Sequence, residues 1–182
     1  KKVAKVLQPT IGIFTNIGPP HDEGFASRKQ KVEEKSLLFT SADTIIYRED
    51  YLLIDEVLKE KYKEGKLCSW SIDFDKQAKY YVRWNKDKTD TEIIVENKTN
   101  QESWNFLVPF RDEASLENIT HALVFGIHHQ YDTEKWRNVI RQLRPVSMRL
   151  EWKQGINQCY LVDDSYSNDL VSLQLALDFL KQ

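Results

Sequence analysis

Residues 11–39 read IGIFTNIGPPHDEGFASRKQKVEEKSLLF, and this stretch decides the fold class. Ile11, Ile13, Phe14, Thr15 and Ile17 form a short apolar, β-branched run bounded by Pro9 and by Gly18-Pro19-Pro20, which predicts a strand over 11–16. A run apolar on both faces suits a buried strand of a parallel sheet. Ser27 and Gln30 fit an S-x-x-Q capping box and open a helix predicted over 28–39. Val32, Lys35, Leu38 and Phe39 recur at spacings of three and four, so the pattern puts Lys35 on the apolar face, partly buried. His21 falls past the carboxyl end of the strand, where open α/β sheets collect ligands.

Outward from this unit the alternation continues. Strands are predicted over 44–47 and 67–70, with a helix over 51–62 between them that stops near Gly65. The order strand, helix, strand, helix, strand predicts an α/β fold with a mainly parallel sheet. Residues 79–84, 92–96 and 104–108 are short strand-like runs between polar turns and predict a small antiparallel sheet. Trp70, Tyr80, Tyr81, Trp84 and Trp104 there would offer a base-stacking surface. Acidic residues dilute the basic ones, so sheet packing is the plainer account. Helices are predicted over 115–128 and 133–143. Beyond Pro145, residues 149–152 and 159–162 read as strands paired around Gly155, and 170–180 as an amphipathic helix with Leu173, Ala176, Leu177 and Leu180 on one face. The domain boundary is expected between 146 and 147.

Composition narrows the function classes. The 182 residues carry a net charge of −2, which gives no broad electrostatic case for nucleic acid. With 30% charged and 41% hydrophobic residues the chain has an ordinary globular make-up. No apolar run reaches membrane-spanning length and no signal peptide is visible, so neither a nucleic-acid nor a membrane partner is expected. Cys68 and Cys159 form no metal or redox motif and fit a reducing, cytoplasmic setting. The chain starts without methionine and stops within a helical pattern, so a fragment of a longer protein is expected.

Three constellations carry candidate chemistry. His21 with Lys35 suits a divalent metal beside a phosphate: histidine offers a neutral nitrogen, and a lysine amine that captures carbon dioxide becomes a carbamate, an oxygen ligand suited to magnesium. On spacing alone, a turn histidine and a snorkelling lysine are the favoured account. Asn118 and His121 lie three apart on a helix whose core face is Leu116, Ile119, Leu123 and Ile127, which puts both on another face. An amide there can read a purine edge, or simply sit in solvent. Arg149 and Asp163-Asp164-Ser165 flank a strand end before a helix, a ligand position and equally a helix cap.

Read together, TNIGPPHDEGF…EEKSLLF, DEASLENITHALV and MRLEWKQG…LVDDSYSNDLVSLQLALDFL resemble the Mur ligase family. Within it they look most like the branch that adds D-alanyl-D-alanine to UDP-N-acetylmuramoyl-tripeptide. Other Mur ligases, a folylpolyglutamate synthetase relative, and a non-catalytic nucleotide-binding domain are the alternatives. The resemblance implies an ATP- and Mg2+-dependent ligase of peptidoglycan synthesis that works through an acyl phosphate. It also implies that 1–146 is the later part of the central ATP-binding domain and 147–182 the start of a Rossmann-like C-terminal domain. By the same resemblance His21 and Lys35, carbamylated, are the catalytic metal ligands, and Asn118 lies near adenine. Arg149, Asp164 and Tyr166 are nucleotide neighbours. Pro19-Pro20 and His121 depart from the family pattern. SYSNDL stands for the commoner SYNANP and is similar to the form fused to an alanine racemase domain. No G-x-x-x-x-G-K-[ST] occurs, so the phosphate loop is expected upstream, and this chain alone is expected to be inactive.

Overall fold

The computed structural model describes residues 6–18, 25–144, 151–165 and 170–180. The chain divides into two compact units, Lys1–Arg141 and Gln142–Gln182.

The first unit is built on a six-stranded sheet in the order β1 (Ile11–Phe14), β2 (Thr44–Arg48), β3 (Leu67–Ser71), β4 (Tyr80–Lys86), β5 (Thr91–Asn97) and β6 (Ser103–Val108). β1 to β4 pair in parallel and β4 to β6 antiparallel. The antiparallel strands therefore extend the parallel sheet. They do not stand as a sheet of their own. Two rungs make the join, Trp70 with Tyr80 and Ser71 with Tyr81. The link between them is short for a parallel connection, and Asp50 ties its start: Ser71 Oγ and Ile72 N donate to its carboxylate at 2.9 and 3.3 Å.

Helices cover both faces of the parallel half. On one face, α1 (Arg28–Ser36) and α2 (Leu52–Lys61) close a core of Phe14, Val32, Phe39, Ile45, Tyr47, Ile54, Val57 and Leu58. Side chains alternate along a strand, so Ile46 and Arg48 point the other way, toward α3 (Glu113–His128). β1 is apolar on both faces, as its sequence says, but buries only one: Phe14 is inside while Ile11 and Ile13 are 36% and 40% exposed. It is the outer strand of the described sheet. Phe39 lies directly on Gly12, where a Cβ would come within 2.4 Å of its ring.

Caps follow the sequence closely. Ser27 Oγ accepts from Gln30 N at 3.2 Å, and the Gln30 side chain accepts from Ala26 N at 2.6 Å, one residue short of a reciprocal box. Asp112 caps α3, and Asp132 caps α4 (Thr133–Ile140). Trp136 of α4 occupies the space over Gly126. Among the described residues no helix is long and apolar enough to cross a membrane.

The second unit holds an antiparallel pair, β7 (Glu151–Gln154) with β8 (Tyr160–Asp163), and α5 (Leu170–Phe179). Leu173 and Leu177, on the apolar face the sequence marks, are exposed. Cys159 is exposed here, whereas Cys68 of β3 is buried and its thiol is pushed up to about 12 by desolvation.

Gly126→Ala sets a new Cβ 1.6 Å from Trp136 Cη2. Overpacking of this kind costs about 1–3 kcal/mol. Urea denaturation should show the midpoint falling with an unchanged slope, and an unchanged midpoint would mean that Trp136 moves away freely.

Candidate functional site

The carboxyl ends of β1 and β2 meet at one carboxylate, Glu117 of α3, which is 4% exposed. Asn16, just past β1, donates from Nδ2 to Glu117 Oε1 at 3.1 Å. Arg48, the last residue of β2, donates from Nη1 to Oε2 at 3.1 Å, and the Tyr51 hydroxyl donates to the same oxygen at 2.5 Å. Arg48 also donates from Nε to Asp50 Oδ2 at 3.0 Å. Its guanidinium lies over the rings of Tyr51, Trp70 and Trp84 at 5.3, 5.3 and 5.4 Å.

Burial alone would push the Glu117 carboxyl up. His121, the donors Tyr51 and Asn16, and the Arg48 charge outweigh it and hold the group down at about 2. The contribution of His121 works at a distance: its Nε2 is 3.9 Å from Glu117 Oε1, too long for a hydrogen bond, and finds no other partner. Trp70 Nε1 donates to His121 Nδ1 at 3.0 Å. Indole nitrogen only donates, so Nδ1 must accept and the ring proton sits on Nε2, the side nearer Glu117. Trp84 Nε1 likewise donates to Thr120 Oγ1 at 3.1 Å. Trp70 is fully buried, and these aromatic residues form a packed wall, not a base-stacking surface.

The structure separates Asn118 from His121. Asn118 is exposed, while His121 is 1% exposed and faces β3, so the two do not share a solvent face. The reason is the partner: Trp70 gives the imidazole a bond inside, which spacing alone does not reveal. Lys35 is also placed differently from the expectation. It is exposed, and its side chain makes no hydrogen bond or ion pair with any described residue. α1 ends at Ser36 and rewinds into a 3-10 turn, Leu37–Phe39, so Leu38 and Phe39 do not prolong the stripe that was to bury it. The buried lysine of α1 is Lys31, 2% exposed, whose Nζ donates to Gly18 O at 2.9 Å.

Asp164 is half-buried, directly after β8. Its neighbour Asp163 accepts from Ser165 and pairs with Lys153 across the hairpin, and these bonds hold its carboxyl down at about 2. His21, Arg149 and Tyr166 lie outside the described residues. Among the described residues no three His, Cys, Asp or Glu side chains gather as a metal site. The exposed Lys35 amine has no described residue competing for it, so a carbamate formed there would offer the oxygen donors that magnesium takes. A cleft of about 810 Å³ opens elsewhere, at the amino end of β3, lined by Glu49, Lys59, Lys66, Lys79, Lys98 and His128. None of the candidate residues lines it, and Lys66 and Lys98 are spent on backbone carbonyls.

Residues 1–126 match the Mur ligase middle domain. The chain belongs to the Mur ligase family. This Mur ligase segment is 26% identical to the UDP-N-acetylmuramoylalanine–D-glutamate ligase of Chlorobium phaeobacteroides (strain BS1), over 94% of this chain and 39% of that protein. In fold it is similar to MurF from Acinetobacter baumannii, with a TM-score of 0.78 at 20% identity over 98% of this chain and 39% of that one. It is also similar to the ADP complex of MurF ligase from Thermotoga maritima, with a TM-score of 0.70 at 17% identity over 98% of this chain and 41% of that one. The Mur ligase segment thus spans about two-fifths of the length of these relatives.

The Glu117 carboxyl titrates near 2 in the folded chain against an ordinary 4.5. A lowered carboxyl stabilises the fold above its unfolded value and loses that contribution as pH falls toward its folded one, here between pH 4.5 and 2. By linkage the contribution is roughly 3 kcal/mol. Urea titrations of wild type and Glu117→Gln should therefore differ most at pH 7 and converge as pH approaches 2. A gap independent of pH would show that the ionised carboxylate is not what stabilises.

Proposed function

We propose that the protein containing this segment is an ATP-dependent, amide-bond-forming ligase of peptidoglycan precursor synthesis, working in the cytoplasm. The observation that carries the reading is the match of residues 1–126 to the Mur ligase middle domain, a span that includes His21, Lys35 and Asn118. ATP phosphorylates a carboxylate of a UDP-muramoyl substrate, an amine attacks the acyl phosphate, and phosphate leaves as the amide forms. Such chemistry rests on positioning and on neutralising phosphate charge.

In this reading His21 and carbamylated Lys35 would hold Mg2+, which would neutralise charge on the transferring phosphate. Asn118, exposed beside the buried Glu117, offers its amide to the adenine edge. Arg149, Asp164 and Tyr166 belong to the nucleotide contacts of the following domain, with 1–146 as the later part of the central domain and 147–182 as the start of the C-terminal one. The substrates we favour are UDP-N-acetylmuramoyl-tripeptide and D-alanyl-D-alanine. The three sequence segments support this choice, and the fold likeness to MurF agrees with it. The identity with a D-glutamate ligase favours a second reading, in which a single amino acid is added.

Phosphate release by the full-length protein separates the two. Release that needs both UDP-tripeptide and D-alanyl-D-alanine supports the first reading, and release with D-glutamate and UDP-N-acetylmuramoylalanine supports the second. Lys35→Ala in the full-length protein should lower turnover by about 100-fold or more, with partial rescue by a short carboxylate that replaces the carbamate oxygen. Full activity in Lys35→Ala would remove the carbamate from the reading.

A further inference from the structure

The last turn of α1 is held from α2. Lys61, the final residue of α2, donates from Nζ to Glu33 O at 3.0 Å and to Ser36 Oγ at 2.8 Å. Tyr62, which follows it, donates its hydroxyl to Ser36 O at 2.5 Å. Ser36 is fully buried, and its own Oγ donates to Glu33 O at 2.7 Å. A helix leaves its last carbonyls without intrahelical partners, and α1 gives way to a 3-10 turn at Leu37. Two side chains from the neighbouring helix end therefore take the carbonyls of residues 33 and 36. Lys35 lies between these two points and is exposed.

We propose that Lys61 is a positioning residue for Lys35: its ammonium fixes the end of α1 and supplies there the cation that a carbamate on Lys35 takes away. The inference rests on the ligase reading given above, in which Lys35 is carbamylated. The physical case is one of charge. The C-terminal end of a helix carries partial negative charge and favours cations. Lys35 is the basic residue of the last turn of α1 and, as an ammonium, suits that end. Glu33 and Glu34, both exposed, crowd the same stretch with negative charge. Capture of carbon dioxide inverts the favourable charge. The ammonium loses one proton, the amine nitrogen bonds to the carbon, a second proton leaves, and an anion stands beside two carboxylates at the negative end of the helix. Lys61 brings a cation to that end from outside α1. Among the described residues its Nζ makes no ion pair with a carboxylate, so its charge faces the helix end itself.

The test uses the full-length protein, in buffer containing Mg2+, titrated with carbon-13-labelled bicarbonate. The carbamate carbon is followed by NMR as the signal that Lys35→Ala removes. Lys61→Met keeps the aliphatic stem at an exposed position and loses the charge and both bonds. It should raise the bicarbonate needed for half-maximal signal by about two- to five-fold, the range of one charge at a helix end. Lys61→Arg restores the cation and should return the titration to the wild-type curve. Tyr62→Phe cuts the neighbouring bond to Ser36 and leaves the ammonium in place, so its midpoint should match wild type. Equal midpoints in wild type and Lys61→Met overturn the inference. So does a shift in Tyr62→Phe as large as that in Lys61→Met, which would make the effect one of helix anchoring alone. A wild-type protein without any signal that Lys35→Ala removes overturns the carbamate reading itself.

Discussion

A buried carboxylate facing a buried guanidinium is costly unless every oxygen and nitrogen finds a partner. The Glu117–Arg48 pair finds partners for both Glu117 oxygens and for Arg48 Nε and Nη1 by drawing in the ends of several elements. Asn16 arrives from β1, Arg48 from β2 and Glu117 from α3. Tyr51, which opens α2, makes no side-chain cap there and spends its hydroxyl on Glu117. Asp50 takes the other side of Arg48 and also ties the turn after β3. The aromatic rings of Tyr51, Trp70 and Trp84 exclude water from the guanidinium and offer it their π faces. One charge pair therefore ties the ends of β1 and β2 and, through Asp50, the turn after β3, at the edge where an α/β sheet places its ligands.

That edge divides the labour between buried and exposed groups. Glu117, His121 and Lys31 are buried, whereas Lys35 and Asn118 are exposed. The Trp70–His121 bond matters here because it fixes the imidazole tautomer and keeps a histidine out of the surface set. His121, which departs from the family pattern, is thus buried, and Asn118 is the exposed amide beside it.

The alternation of strand and helix through 11–70 was legible because β-branched runs, the Ser27 cap and the Gly-Pro turn all speak through local chemistry. Pairing partners are not local. Nothing in the runs at 79–108 says that Tyr80 and Tyr81 will add to β3 in parallel, since this depends on a two-rung contact between residues ten apart. Lys35 was misplaced for a related reason: a period of 3.6 holds only while the helix does, and α1 changes geometry at Leu37. Asn118, Lys35 and His21 could be singled out because the family resemblance marks their positions. The Glu117–Arg48 network left only a partial trace in the charge pattern. Arg48 closes an apolar strand, and Glu117 sits between Leu116 and Thr120 on the packed side of α3. Two opposite charges at interior positions of elements that pack together form a pair, but sequence does not say which elements pack.

The two thiols differ in a way that has a practical use. Cys68 is buried and its thiolate is strongly disfavoured, whereas Cys159 lies in the open in the second unit. A maleimide or a methanethiosulfonate reacts with thiolate that it can reach, so under native conditions this chain presents one labelling site without any engineering. A dye or spin label there would report on the hairpin of the second unit alone. Labelling of Cys68 would in turn serve as a clock for the opening of the sheet core.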